Sequence, residues 1–161
     1  MTLAIRPARP QDATLVHRLI RELAEYEKML DQVVASEADT AAALFGNNPR
    51  VFCDIAEWAG TPAGFALWFY NFSTFRGAHG IYLEDLFVRP VFRGKGIGRA
   101  LLVTLARRAV AEGCARLDWA VLNWNAPSIA FYEKLGAQTL DGWTGYRLTD
   151  EGLERLAQAP A

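Results

Sequence analysis

Cysteine and histidine are scarce, with two of each in 161 residues. Cys53 and Cys114 stand far apart, with no CxxC pair and no histidine spaced as a co-ligand, so neither a disulfide framework nor a zinc site is encoded. No metal is expected. His17 and His79 lack partner spacing for metal binding or nucleophilic catalysis, and the GxSxG elbow of hydrolases is missing. An excess of one charge is missing too: 17 Lys and Arg against 18 Asp and Glu leave a net charge of -1. No broad positive field can hold a polyanion, and nucleic acid is not an expected partner. Long apolar runs are also lacking. The longest, from Ala63 to Tyr70, is broken by Gly64 and falls short of the roughly 18 to 20 residues of a membrane span. Met1 to Pro7 carries charge and proline where a secretory leader needs roughly seven or more apolar residues. A cytoplasmic protein in a reducing compartment, without a membrane partner, is expected.

What is present is a globular composition, 52% hydrophobic and 12% aromatic, enough to bury a sizeable core. Repeats, low-complexity tracts and linkers are missing, so residues 1–161 are expected to form a single α+β domain. Asp12 stands as a cap ahead of Leu15, Val16, Leu19, Ile20, Leu23 and Tyr26, a three-and-four spacing that predicts a helix over about 12–30. Ser36 and Asp39 resemble a capping box for a second short helix ending at Gly46. Residues 51–57 and 63–70 read as a hairpin, residues 81–88 as a strand ended by Arg89-Pro90, and residues 96–113 as a helix. Residues 115–122 read as another strand. Asn125 and Pro127 open a short helix that Gly136 stops. Residues 137–141 and 143–148 are strand candidates, and Thr149 can cap a terminal helix.

The most informative string is Arg93-Gly94-Lys95-Gly96-Ile97-Gly98-Arg99, set between a strand and a helix. Backbone amides at a helix N-terminus, with the positive end of its dipole, suit a phosphate. Glycine lets the backbone come close to an anion, and Arg93, Lys95 and Arg99 add charge. A tight turn bearing solvated cations is the plainer alternative. The dinucleotide pattern GxGxxG fails because Arg99 stands where the third glycine should be, and the GxxxxGK[ST] phosphate loop is missing.

Arg93, Gly96 and Gly98 fit R-x-x-G-x-G, which resembles the pyrophosphate motif of the GCN5-related N-acetyltransferases (GNAT superfamily). Tyr82-Leu83-Glu84-Asp85 before the motif, Asn123-Trp124-Asn125-Ala126-Pro127-Ser128 after it, and Phe131-Tyr132-Glu133-Lys134-Leu135-Gly136-Ala137 follow that family's order. Within the superfamily the chain is similar to the diamine (spermidine/spermine) acetyltransferases and more so to their thialysine N-ε-acetyltransferase relatives. The strings that carry this are Arg21 to Lys28, Asp31-Gln32-Val33 and Ser73 to Gly77. The resemblance implies a GNAT fold: a mixed, mostly antiparallel twisted sheet flanked by helices, with a splayed central strand pair. It implies direct acetyl transfer from acetyl-CoA to a primary amine in a ternary complex, and a homodimer that builds part of the acceptor pocket across its interface.

A lysine-like amine of pKa about 10.4 is about 99.9% protonated at neutral pH, a deficit that costs about 4 kcal/mol unless a base takes the proton. Consecutive strand residues point to opposite faces, so of Glu84 and Asp85 only one reaches a given cleft. The resemblance implies Glu84 as the base, taking the proton directly or through water, and leaves Asp85 to help bind the cationic acceptor or to orient the strand; solvated or arginine-paired carboxylates are the alternative. It also implies Tyr132 as the acid beside the departing sulfur. Backbone groups of Leu86, Phe87 and Val88, the loop Arg93, Gly94, Lys95, Gly96, Ile97, Gly98 and Arg99, and Asn125, Ser128 and Lys134 would hold the cofactor, acetyl-CoA. An ordinary cap for Asn125 and a solvated charge for Lys134 compete with those roles.

Tyr26 and Glu27 match acceptor-pocket positions, an aromatic face and an anion that suit an ammonium. Thr74 and Arg76 depart from the polyamine pattern. Arg76 would suit a carboxylate, which favours thialysine, lysine or ornithine-like acceptors over spermidine, unless it is a solvated loop charge. A polyamine acetyltransferase and a non-catalytic acetyl-CoA sensor are the competing readings.

Overall fold

Residues 51–73 are rich in aromatic and β-branched side chains, which favour extended backbone. They form β2 (Phe52–Trp58) and β3 (Thr61–Ser73). The turn between them is Ala59-Gly60, both at positive φ (49° and 78°), the backbone form that lets a two-residue hairpin match strand twist. This is a computed structural model, and it describes residues 2–160. With β1 (Leu3–Pro7), β4 (Ala78–Val88) and β5 (Leu117–Trp119), these strands make a five-stranded sheet in chain order. Its pairs are antiparallel except the last, β4 with β5, which is parallel.

The helices are α1 (Ala13–Tyr26), α2 (Glu37–Phe45), α3 (Ile97–Ala111), α4 (Ala126–Lys134) and α5 (Asp150–Ala157). None is long and apolar enough to cross a membrane. The chain up to Leu122 forms one compact unit and the chain from Asn123 a second. In the first unit, Val16, Leu19 and Leu23 of α1 and Leu44 of α2 bury against Cys53, Ile55, Phe65 and Phe87 of the sheet. Asp54, between Cys53 and Ile55, points to the other face, where Arg108 of α3 meets it. Ile97, Leu101 and Leu105 of α3 are fully buried or nearly so.

The first helix stops at Tyr26, earlier than its periodicity predicts, because Lys28 takes a left-handed conformation (φ 61°). The capping box of Ser36 and Asp39 forms as read. The strand expected over 115–122 shrinks to Leu117–Trp119. Residues 137–148 carry no strand, and Trp143, Tyr146 and Leu148 are exposed. The β4–β5 ladder runs only from Ile81/Leu117 to Leu83/Trp119. Beyond it β4 continues through Val88 with no partner on that side, so the splayed pair forms the open edge of the described sheet.

Candidate active site

The open part of β4 begins at an irregularity. Opposite β3, Leu83 pairs with Trp68 and Asp85 with Leu67, leaving Glu84 as an extra residue, a β-bulge. Strict alternation would place Leu83 and Asp85 on one face. The bulge undoes this: Asp85 shares the register line of Leu67 and Cys53, beside that of Phe87, Phe65 and Ile55. Those residues pack against α1 and α2, so Asp85 lies on the α1 face. The expectation that only one of Glu84 and Asp85 reaches a given cleft rests on an alternation that the bulge interrupts.

Asp85 is largely withdrawn from solvent, and among the described residues no donor or cation meets its carboxylate. Burial, then the charges of Glu84 and Glu27, push its pKa up to about 7. Glu27, the residue after α1, is also raised by burial. The structure thus brings Glu27 and Glu84 within electrostatic reach of Asp85. The Tyr26 ring lies 6.5 Å from that of Phe87. Arg76 is elsewhere. It sits exposed in the β3–β4 turn beyond the Ser73–Ala78 pair, about 20 Å from Asp85 at roughly 3.3 Å per strand residue. Within one chain it does not join the carboxylates.

After β4 the loop has the form that its glycines predict, for a reason more specific than open space. Gly94 and Gly96 adopt positive φ (76° and 77°), and a Cβ on either would meet no neighbour within 4 Å. The demand is therefore conformational. Gly96 is the N-cap of α3 and offers no side chain to its first-turn amides, among them those of Gly98 and Arg99. Buried Ile97 anchors that turn in the core. Uncapped amides at the positive end of a 15-residue helix, with the exposed Arg99, fit a pyrophosphate.

Other loop cations already have partners. The Arg93 guanidinium lies 4.6 Å from the centre of the Tyr26 ring and 5.8 Å from that of Phe87. Its Nε donates to the Val88 carbonyl at 3.0 Å. Lys95 Nζ lies 5.2 Å from the Trp58 ring. Arg89 grips both Glu22 carboxylate oxygens at 2.8 Å and the Pro62 carbonyl at 3.0 Å. Arg89 and Arg93 thereby tie the loop to α1, a clasp that sequence reading missed. Glu22 and Arg89 lie 67 positions apart, and nothing local signals their pairing. The Leu86 and Phe87 backbone belongs to the stretch of β4 that is open on the β5 side.

In the second unit, Asn125 is buried and its Oδ1 accepts from the Ser128 amide at 3.3 Å, capping α4, with Pro127 in the first turn. Tyr132 is half-buried, its ring 5.4 Å from that of Phe131, and Lys134 is exposed.

Known proteins resemble this chain in sequence and in fold. Residues 15–137 match the model of the acetyltransferase (GNAT) family. A thialysine N-epsilon-acetyltransferase of Bos taurus is 41% identical over 95% of this chain and 96% of its own. An L-ornithine N5-acetyltransferase of Arabidopsis thaliana is 30% identical over 94% and 86%. Among solved structures, an integron cassette protein of V. cholerae superposes with a TM-score of 0.82 at 32% identity, covering 99% of each chain. On this footing the chain belongs to the GNAT acetyltransferases, enzymes that use acetyl-CoA to acetylate an amine.

Proposed function

We propose that this enzyme acetylates the side-chain amine of a small basic amino acid of the thialysine, lysine or ornithine type, by direct transfer in a ternary complex. One observation carries the reading: an unpaired, largely buried Asp85, flanked by Glu84 and Glu27, is an environment that a single ammonium would neutralise. The names of the thialysine and ornithine relatives point to the same acceptor class. In this reading Tyr26, Glu27, Glu84 and Asp85 bind the amine. The backbone of Leu86, Phe87 and Val88, the loop from Arg93 to Arg99, and Asn125, Ser128 and Lys134 hold acetyl-CoA, which supplies the acyl group as a thioester. Tyr132 donates to the departing sulfur; a phenol of pKa about 10 suits a thiol of about 8.5.

Residues 1–161 act as one catalytic domain in the cytoplasm. The exposed Trp143, Tyr146 and Leu148 favour a homodimer, in which the partner subunit's Arg76 would meet the acceptor's carboxylate. A second reading, acetylation of a polyamine, draws on the same three carboxylates, which suit a polycation. Thiol release from acetyl-CoA with a panel of amines decides between them. Turnover on thialysine or ornithine with little on spermidine is expected; the opposite profile selects the polyamine reading, and acetyl-CoA binding without turnover selects a sensor.

A further inference from the structure

The family resemblance gives the amine's proton to Glu84, but the bulge separates the two acids. Glu84 is the residue outside the ladder and is exposed. Asp85 is held in register opposite Leu67, on the face toward α1, next to a Phe87 that is 4% exposed. The titratable groups that reach it are Glu84 from β4, Glu27 from the end of α1 and the Cys53 thiol from β2. None is a cation. Burial raises the Cys53 thiol far above the neutral range, so it stays uncharged and leaves Asp85 uncompensated. A carboxylate with little water and two like charges nearby gains most from taking a proton.

We infer that Asp85, not Glu84, is the proton acceptor for the bound ammonium, while Glu84 and Glu27 hold the cation. This rests on the amine-acetylating reading above. In the step, a proton moves from the ammonium nitrogen to a carboxylate oxygen of Asp85. The freed lone pair then forms the C–N bond as the thioester C–S bond breaks. The second proton on that nitrogen leaves with the thiol, and Asp85 returns its proton to solvent. The upward shift of Asp85 to about 7 brings it into the range where a base works best at neutral pH.

The test is the pH dependence of kcat/KM for the best amine of the panel, which reports groups of the free enzyme. The wild type should level off above about pH 7. Asp85→Asn should lose about 10²- to 10⁴-fold at pH 7. Its rate should then climb about tenfold per pH unit toward the amine's own pKa of about 10.4, since only free amine reacts. Glu84→Gln should raise KM for the amine and keep the plateau. Asp85→Glu keeps an acid at the position and should keep a plateau at a reduced rate, which covers the case in which the asparagine variant does not fold. A plateau retained in Asp85→Asn and lost in Glu84→Gln, or a plateau lost in Asp85→Glu, overturns the assignment. A wild type that acetylates no amine overturns the functional reading instead.

Discussion

Asp54 on β2 and Asp85 on β4 are both drawn away from water, on opposite faces of one sheet, and they differ in what meets them. Asp54 is 2% exposed. It accepts from both terminal nitrogens of Arg108 at 2.7 and 3.1 Å and from Trp68 Nε1 at 2.9 Å. The same guanidinium stacks 4.6 Å from the Trp68 ring. Asp85 has no such donor, and the charges nearest to it have its own sign. A buried charge is stable when paired and costly when alone. The sheet therefore compensates the charge of Asp54 and leaves that of Asp85 uncompensated.

The largest effect should come from breaking the completed side. Asp54→Ala leaves the Arg108 guanidinium and the Trp68 indole without their acceptor, and such a break costs about 3–5 kcal/mol. Urea unfolding followed by fluorescence should show the unfolding free energy fall by that amount, with the midpoint lowered in proportion. A loss below about 1 kcal/mol would mean that Arg108 finds water as good a partner as Asp54.

The incomplete side should respond with the opposite sign. Asp85 has a folded-state pKa near 7 against an ordinary value of 3.8, so between those values the folded chain binds more protons than the unfolded one. Its contribution to stability falls as pH rises from about 4 to 7 and is constant beyond. Asp12, lowered by its bond with Arg6, and Asp39, lowered by the Ser36 amide, act in the other direction. The clean quantity is thus the difference between Asp85→Asn and wild type. The variant should gain relative stability across that window, reaching as much as about 4 kcal/mol at pH 8. Equal slopes would show that Asp85 titrates alike in both states.

Much of this was legible in the sequence because local physics encodes it. The helices at 13–26, 37–45, 97–111 and 126–134 follow from apolar spacing and caps, and the β2–β3 hairpin from its aromatic runs. The glycine loop was legible as well, since positive φ favours glycine. The bulge at Glu84 was not, because register depends on which β3 residue lies opposite, and alternation within β4 cannot reveal a skipped partner. The Asp54–Arg108 and Glu22–Arg89 pairs were hidden for the same reason, with 54 and 67 positions between partners. Asp54 did leave a trace: an acid between Cys53 and Ile55 in an apolar run signals a buried partner. Residues 137–148 have the composition of strands, but composition does not supply a neighbouring edge.

A smaller effect sharpens the comparison at the arginines. Arg108 and Arg93 each lie 4.6 Å from the centre of an aromatic ring, Trp68 in one case and Tyr26 in the other, but only Arg108 also holds a carboxylate. Arg93 bonds a carbonyl instead, and from the start of the glycine loop it reaches over Tyr26 at the end of α1. If that stacking fixes Tyr26 beside the acceptor, Arg93→Met should raise KM for the amine a few-fold as well as KM for acetyl-CoA. A pure phosphate ligand would move only the second. Combined with Tyr26→Leu, the loss in kcat/KM for the amine should fall short of the sum of the single losses by about 0.5–1 kcal/mol, the size of an exposed cation–π contact. Strict additivity would show that the loop and α1 act independently on the acceptor.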